Sequence, residues 1–334
     1  MSEFYDVVII GASFAGLECA KNLVNSGLKI LILEKDKKLG QKVCANGILK
    51  EDLKYIPKDL IEQDFKKLNI KINYKTIYRG NNKIVSTINR EKVLNYKLKE
   101  CLKDKNIKIK LNSKVIEISR EFVKTNENKI YNYKHLVGAD GSLSIVRRYL
   151  ELKTKKIEFA LQYIIPKKIS DFEINLLSNY KGYLWIFPHE TYTNIGCGEI
   201  INYKKNNASK IILESFLKNK KINYNPKTIR GAFLNCDYKG YKFDNIYLAG
   251  DAAGLVSKLT GKGIFAANSS GEQVAKDILK IKCNSLKKWL KIKRKQEFFN
   301  IFAKKIIWNI GLLLSNYFVK NKFIYKKLRS IFFK

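Results

Sequence analysis

A run of glycines near the N-terminus, followed by a carboxylate, has the composition of a dinucleotide-binding turn. The run reads GASFAG over residues 11–16, and Glu34 follows 18 residues after the last glycine. Gly11 permits a tight turn and Gly16 lets a helix pack close to a sheet, whereas Ser13 replaces the usual middle glycine. The N–H groups of a helix start bind phosphate, and a carboxylate at this distance binds a ribose. We expect cofactor contacts from Gly11, Ser13, Phe14, Ala15, Gly16, Glu34 and Lys35.

A second set of glycines and carboxylates lies much later in the chain. GADGS at 138–142 and GDAAG at 250–254 each place an aspartate directly after a short apolar run, and TGKGI at 260–264 precedes a helical pattern. Such turns can direct a carboxylate at ribityl hydroxyls and N–H groups at a phosphate or flavin ring. A cofactor that reaches both this set and residue 11 must be long, which favours FAD over NAD. The expected contacts are Asp140, Asp251, Gly261, Gly263 and Ile264.

The elements that must position these turns are short apolar strands alternating with helices. Val7–Ile10 and Ile30–Leu33 are unbroken apolar runs, typical of parallel strands buried on both faces. The apolar residues from Phe14 to Asn25 have helical spacing, and Asn245–Ala249 and Ile264–Lys280 predict a further strand and helix. Strand, glycine turn, helix and strand in this order predict a Rossmann-like α/β domain with a parallel sheet.

Two side chains between these elements have two interpretations each. Cys44 lies in CANG, residues 44–47, a loop that can pass beside a bound cofactor, although a single cysteine is more often a small buried hydrophobe. Arg90 opens a predicted helix from Glu91 to Lys105. Its guanidinium suits bidentate phosphate contact, but a solvated arginine at a helix start is equally compatible with the pattern.

The residues from Lys153 to Cys236 have a different character, with alternating strands and one helical stretch, Ala208–Asn219. They predict an antiparallel sheet covered by a helix. In the strand at 182–188, Tyr183, Trp185 and Phe187 point to one face because side chains alternate along a strand. This row is either a wall for an apolar substrate or ordinary core. Earlier in the chain, Ile72–Ile88 predicts two strands joined by a hairpin turn at Arg79–Asn82.

The composition narrows the function classes. The net charge is +35, but lysines outnumber arginines 57 to 8, so much of this charge reflects compositional bias. A basic surface favours anionic partners such as lipid head groups or an acidic redox protein, and no nucleic-acid-binding motif is present. Six cysteines without C-x-x-C spacing indicate free thiols, and with two histidines no metal site is expected. The chain enters its first strand at once, so we expect no signal peptide and a cytoplasmic location.

The last fifty residues are basic and apolar together. Leu286–Lys334 carries 14 Lys or Arg and one acid, Glu297. Its longest uncharged run, Ile306–Val319, has 14 residues, whereas a bilayer span needs about 20. Basic flanks with Trp308, Tyr317 and Phe318 are typical of a helix lying in a membrane interface, for example on the inner face of the cell membrane. Packing over a substrate cavity is the alternative.

The predicted fold class is therefore α/β, with a Rossmann-like cofactor-binding domain, an antiparallel α+β domain and a helical C-terminus. The predicted FAD-binding domain is discontinuous and comprises residues 1–75, 89–150 and 240–285. The substrate domain comprises 76–88 and 151–239, and 286–334 forms the amphipathic helical region.

These features resemble the flavoproteins of the p-hydroxybenzoate hydroxylase fold, and more closely the geranylgeranyl reductase family. The resemblance covers most of residues 1–282 and rests on GASFAG, KVCANG at 42–47, GADGS, LAGDAAGLVSKLTGKGI at 248–264 and the Y-x-W-x-F-P run at 183–188. Lys258 departs from it, where the family often has proline. The resemblance implies a substrate wall at Tyr183, Trp185 and Phe187, a role beside the flavin for Cys44, and FAD contacts from Ala15, Glu34, Cys44, Ala45, Gly47, Arg90, Val115, Asp251, Gly263 and Ile264.

The function that this resemblance implies is a FAD-dependent reductase that saturates carbon–carbon double bonds of a polyprenyl chain on a lipid or quinone. Because no second nucleotide domain is visible, NAD(P)H must dock transiently, or a reduced ferredoxin-type protein must deliver the electrons. One alternative is a monooxygenase of the same fold. An alternative of another class is a non-catalytic membrane or nucleic-acid binder that uses the basic tail.

Overall fold

The computed structural model describes residues 3–80, 85–177, 180, 182–200, 208–258 and 260–306. The helices in this part of the chain are α1 (Phe14–Asn22), α2 (Arg90–Cys101), α3 (Ile145–Tyr149), α4 (Ala208–Asn219), α5 (Ile264–Ile278) and α6 (Ser285–Ile306). The strands are β1 (Glu3–Ile10), β2 (Ile30–Leu33), β3 (Gly47–Leu49), β4 (Ile61–Phe65), β5 (Leu68–Ile72), β6 (Lys75–Gly80), β7 (Val85–Ile88), β8 (Ile107–Lys110), β9 (Val115–Ile118), β10 (Phe122–Thr125), β11 (Ile130–Gly138), β12 (Ile157–Ile165), β13 (Phe172–Leu176), β14 (Gly182–Pro188), β15 (Thr193–Ile200), β16 (Arg230–Asn235), β17 (Lys242–Phe243) and β18 (Ile246–Leu248).

The first sheet is the predicted Rossmann-like one. Its strands lie in the order β17-β18-β11-β1-β2-β8, and β9 and β10 extend it beside β11. The pairs β1–β2, β1–β11, β2–β8 and β11–β18 are parallel. The chain therefore returns through α1 between β1 and β2, which is the crossover that parallel pairing requires.

Side chains of β1 enter two different cores because successive residues point to opposite faces. Val7 and Ile9 pack with residues of α1, α2 and α5, whereas Val8 and Ile10 pack with Trp289 of α6 and residues of β18. This double burial explains why β1 and β2 read as unbroken apolar runs in the sequence.

The second sheet has the order β16-β12-β15-β14-β13-β5-β6 and is antiparallel except between β13 and β5. Helix α4 covers one face, as predicted, and packs there with Leu184 and Ile186 of β14. The alternate residues of β14 therefore face the other side, towards the first sheet's ligand edge.

The segment 61–88 differs from its prediction. The hairpin turn lies at Asn73–Tyr74, both with positive φ, and not at Arg79–Asn82, because Arg79 and Gly80 belong to β6. Strand β5, placed in the predicted cofactor domain, joins the second sheet, whereas β7 forms a small third sheet with β3 and β4. Local alternation predicts strands but does not encode their partners. The division into domains stays a prediction.

Helix α6 confirms the helical C-terminus and is anchored by polar contacts. The indole of Trp289 donates to the carbonyl oxygen of Leu255 over 3.0 Å, and the ammonium of Lys293 donates to those of Val256 and Cys236 over 2.7 and 3.1 Å. The run Ile306–Val319 and its aromatic residues lie outside the described residues, apart from Ile306 itself. Among the described residues, no helix combines the length and apolarity needed to cross a bilayer.

Candidate active site

A cavity of about 850 Å³ opens where the parallel strands of the first sheet end. The register aligns Ile10 with Leu33 and with Gly138, and Gly138 with Leu248. The residues that follow these strands therefore meet at one sheet edge, which is where open α/β sheets bind ligands. All predicted site residues line this cavity except Gly16. They are Gly11, Ser13, Phe14, Ala15, Glu34, Lys35, Cys44, Ala45, Gly47, Arg90, Val115, Asp140, Tyr183, Trp185, Phe187, Asp251, Gly261, Gly263 and Ile264.

The turn after β1 requires both of its predicted glycines. Gly11 has φ +102°, and a Cβ there would overlap the carbonyl oxygen of Ala139. A Cβ on Gly16 would overlap the carbonyl oxygen of Gly11. Gly16 therefore has a packing role behind the turn and does not face the cavity.

Glu34 fixes the turn from the end of β2. Its carboxylate accepts hydrogen bonds from the N–H groups of Ala12 at 2.7 Å and Asp36 at 3.0 Å, and only 8% of its surface is exposed. Two N–H donors satisfy part of the acceptor capacity of a carboxylate. The remaining lone pairs are available at the rim of the cavity, where a ribose would lie in the predicted arrangement.

Arg90 is a buried cavity residue, so its interpretation as a solvated helix-start arginine is wrong. Its guanidinium donates to the Ser13 hydroxyl at 2.7 Å and stacks over the Phe14 ring at 4.7 Å. Its Nε has no hydrogen-bond partner among the described residues. A buried cation with an unsatisfied donor in this cavity fits an anionic ligand such as a pyrophosphate. Ser13, the departure from the glycine pattern, is what positions the guanidinium.

Asp251 lies in the 3₁₀ turn after β18 and belongs to a contact set that the sequence did not reveal. Its Oδ2 accepts from the Lys42 ammonium at 2.7 Å and from the Ser142 hydroxyl at 3.0 Å. Asp140, in contrast, caps the start of α3, because its Oδ2 accepts from the N–H of Ile145 at 2.7 Å. Burial raises the pKa of Asp140.

Tyr183 joins the second sheet to the late glycine turn. Its hydroxyl donates to the carbonyl oxygen of Thr260 at 3.0 Å, and a Cβ on Gly261, at φ +64°, would lie 2.5 Å from that hydroxyl. A Cβ on Gly47 would similarly lie 2.6 Å from the Phe187 ring. The aromatic strand and the cofactor loops therefore approach each other closely enough to exclude any larger residue.

The aromatic row of β14 faces the cavity. Ring centroids of Tyr183 and Trp185 are 5.9 Å apart, those of Trp185 and Phe187 are 6.2 Å apart, and Phe187 stacks on Phe172 at 4.0 Å. Because all four rings line the cavity, they form a wall and not simply a core.

Cys44 is partly exposed and lines the cavity, unlike Cys19, Cys101, Cys197 and Cys236, which are buried. All six cysteines are free, as predicted. The Cys44 thiol accepts weakly from the N–H of Asn46 at 3.4 Å, and Cys44 lines the same cavity as the aromatic wall.

Comparison with known proteins identifies the family of this chain. The chain is 30% identical over 320 residues to the digeranylgeranylglycerophospholipid reductase of Methanococcus vannielii, with 83% of this chain and 78% of that protein covered. The chain belongs to the geranylgeranyl reductase family. Residues 5–149 of this chain also match the family model described as pyridine nucleotide-disulphide oxidoreductase.

Solved structures show the fold of this reductase. A geranylgeranyl bacteriochlorophyll reductase-like protein from Thermoplasma acidophilum superposes with a TM-score of 0.75 at 22% identity, covering 99% of this chain and 100% of that chain. A 2-methyl-3-hydroxypyridine-5-carboxylic acid oxygenase superposes with a TM-score of 0.59 at 14% identity, covering 88% of each chain. The reductase is a flavoprotein oxidoreductase, and oxygenases share its fold.

Proposed function

We propose that this reductase binds FAD and saturates carbon–carbon double bonds of a polyprenyl chain, of geranylgeranyl type, carried on a lipid or quinone. The observation that supports this most directly is a single cavity that extends from the dinucleotide turns to a wall of aromatic rings. The names of the relatives, digeranylgeranylglycerophospholipid reductases, describe proteins that act on such chains.

In this proposal the chain's own groups hold FAD along the sheet edge. Arg90 and the N-terminus of α1 bind the pyrophosphate, Glu34 binds the adenosine ribose, and Asp251 binds the ribityl hydroxyls. The backbone of Gly261 and Gly263, which lines the same cavity, would hold the flavin ring. The further contacts are Gly11, Ser13, Phe14, Ala15, Lys35, Cys44, Ala45, Gly47, Val115, Asp140 and Ile264.

Reduced FAD, when bound, supplies a hydride to one alkene carbon. The second carbon requires a proton, which we assign to the Cys44 thiol because it is the partly exposed cysteine of the cavity. Tyr183, Trp185 and Phe187 hold the chain and exclude water, which protects the hydride from competing reactions. The donor that reduces the flavin is NAD(P)H docking transiently or a reduced ferredoxin-type protein, for which the net charge of +35 is favourable.

We further propose that the reductase is cytoplasmic and contacts the inner face of the membrane through α6. The inner face of this helix is buried at Trp289 and Lys293, whereas Phe298 is 75% exposed on the other face. Five exposed cations precede Phe298 along the helix, and an exposed basic surface with an aromatic ring suits anionic lipid head groups. They are Lys287, Lys288, Lys291, Arg294 and Lys295. Vesicles containing anionic lipid should bind the protein at low salt and release it at high salt, whereas neutral vesicles should not bind.

The decisive experiment combines a spectrum with mass spectrometry. The purified protein should show flavin absorbance and release FAD on denaturation. Under anaerobic conditions with a chemical reductant, polyprenyl lipids should gain two hydrogens for each double bond reduced. A protein that carries FAD but leaves these lipids unchanged under reducing conditions would contradict the substrate assignment.

The alternative function is monooxygenation, which the fold match to an oxygenase favours. It predicts oxygen consumption with NAD(P)H and a product that gains oxygen, so the mass of the product separates the two functions. A non-catalytic binder does not agree with membership of an oxidoreductase family.

A further inference from the structure

His189 follows β14 directly and is completely buried, with 0% of its surface exposed. Its Nδ1 lies 2.7 Å from Oε2 of Glu62 in β4, and its Nε2 lies 3.1 Å from the carbonyl oxygen of Ala45. The imidazole therefore bridges the small third sheet and the loop that carries Cys44. None of the sequence patterns indicated this residue.

Both partners of the ring are hydrogen-bond acceptors. A neutral imidazole offers one donor and one acceptor, so it satisfies only one of these two contacts, whereas the imidazolium donates to both. Burial raises the pKa of Glu62, but the hydrogen bond and charge of His189, together with the Glu190 N–H and Lys92, hold this pKa below its usual value. The geometry is therefore that of an imidazolium paired with a carboxylate.

The other charged and titratable groups around the pair agree with this arrangement. Tyr192 stacks on the imidazole at 4.3 Å, and burial raises its pKa to about 12, so the phenol is neutral. The N–H of Glu190 donates to Glu62 over 3.4 Å, and Lys92 on α2 adds positive charge near that carboxylate.

The Cys44–Asn46 segment is held through three successive carbonyl oxygens. The carbonyl oxygen of Cys44 accepts from the Asn194 amide at 3.3 Å, and the carbonyl oxygen of Ala45 accepts from His189. The carbonyl oxygen of Asn46 accepts from the N–H of Ile88 at 3.2 Å. Asn46 has φ +56°, so the segment turns sharply. These contacts fix the backbone from outside while the Cys44 side of the segment lines the cavity.

We propose that His189 is a positioning residue whose doubly protonated ring, neutralised by Glu62, holds the Cys44–Asn46 segment against the cavity. A ring with a single N–H would donate to only one of its two partners and would release either Ala45 or Glu62. The consequence for catalysis rests on the proposed role of Cys44, whereas the protonation of the ring and the placement of the thiol do not.

The protonation is tested by ¹⁵N NMR of the flavin-loaded protein labelled at histidine. The chain has two histidines, so His135 is an internal control. Burial, followed by the charge of Lys134, lowers the pKa of His135, and we expect a neutral ring there at pH 7. His135→Gln assigns the signals. We expect two protonated nitrogens in His189 at pH 7; one protonated and one bare nitrogen would overturn the proposal.

The positioning is tested by the rate at which iodoacetamide alkylates Cys44, followed across pH by peptide mass spectrometry that separates it from Cys283. His189→Gln retains a donor but carries no charge, and Glu62→Gln removes the counter-charge. Because the thiolate is the reactive form, the rates are compared at matched pH. We expect His189→Gln to change the rate by about tenfold at each pH, because a hydrogen bond to a charged group is lost. His135→Gln should leave the rate unchanged.

An unchanged alkylation profile in His189→Gln would overturn the positioning role. The flavin spectrum and thermal unfolding of each variant establish that it is folded, and the NMR test needs no variant at the site itself. If the protein reduces no polyprenyl lipid but the NMR and alkylation results hold, the positioning stands and the proposed function fails.

Discussion

Replacing Arg90 by glutamine tests the cofactor site most directly. Arg90 is 7% exposed, its guanidinium donates to Ser13 at 2.7 Å and lies over the Phe14 ring, and its Nε has no partner within the described part of the chain. Glutamine removes the positive charge and the planar fork. The variant therefore loses the group that best fits an anionic ligand, while the fold retains a polar side chain at the start of α2.

The expected loss follows from the contacts involved. A hydrogen bond to a charged group contributes about 1.5–3 kcal/mol. Loss of one such bond between Arg90 and a phosphate should weaken FAD binding by about 10- to 150-fold. The assay is a fluorescence titration of flavin-free protein with FAD, accompanied by urea unfolding to measure stability.

Two further variants make the result interpretable. Arg120→Gln removes an exposed arginine outside the cavity and should leave FAD affinity unchanged. Ser13→Gly restores the common glycine and removes only the hydroxyl that orients Arg90, so its effect should be smaller than that of Arg90→Gln. If Arg90→Gln binds FAD as tightly as the wild type, the assignment of this cation to the pyrophosphate is wrong.

Three other changes have defined outcomes. Gly11→Ala should destabilise the protein by at least about 1–3 kcal/mol in urea unfolding and abolish flavin retention, because the backbone has φ +102° and no space for a Cβ. Phe187→Ala should raise KM for a polyprenyl substrate about tenfold without changing the flavin spectrum, because one ring of the wall is lost. Burial raises the pKa of Asp52 to about 7 from 3.8, so the folded state holds this proton more tightly than the unfolded state. Wild-type stability should therefore fall between about pH 4 and pH 7, by up to about 4 kcal/mol, and Asp52→Asn should remove this decline.

Two of these outcomes have a control variant, and all three have a contrary result. Phe4→Ala, at a ring 54% exposed on β1, should leave KM unchanged. The exposed Asp59 provides the same comparison for pH, since Asp59→Asn should retain the wild-type decline. The argument for Gly11 is refuted if Gly11→Ala retains its flavin fully. The argument for Phe187 is refuted if Phe187→Ala has the wild-type KM. The argument for Asp52 is refuted if the stability of Asp52→Asn falls with pH as that of the wild type does.

The sequence was sufficient to predict the sheet edge of the site. Glycine and carboxylate turns that follow buried parallel strands must meet, because the carboxyl ends of such strands lie together. Glu34 and Asp251 therefore line one cavity although they are far apart in the chain. The period of two along β14 likewise placed the aromatic row on one face.

The contacts that the sequence did not reveal connect segments with no shared local pattern. Lys42 pairs with Asp251, and His189 reaches Ala45 across 144 residues. Both depend on how the two sheets pack, which periodicity does not encode. The predicted position of the hairpin turn was wrong for a related reason. The glycine and asparagines at 80–82 are stronger turn formers than Asn73–Tyr74. The pairing of β5 with β6 nevertheless places the turn at Asn73–Tyr74.

The hydrogen bonds from α6 to Leu255 and Val256 have a consequence for the effect of proteolysis on this protein. These carbonyl groups precede the glycines at 261 and 263. If a protease cleaved the chain before Trp289 and α6 then dissociated, these buried carbonyl oxygens would lose their donors. The cleaved protein should therefore lose its flavin absorbance before it loses its secondary structure.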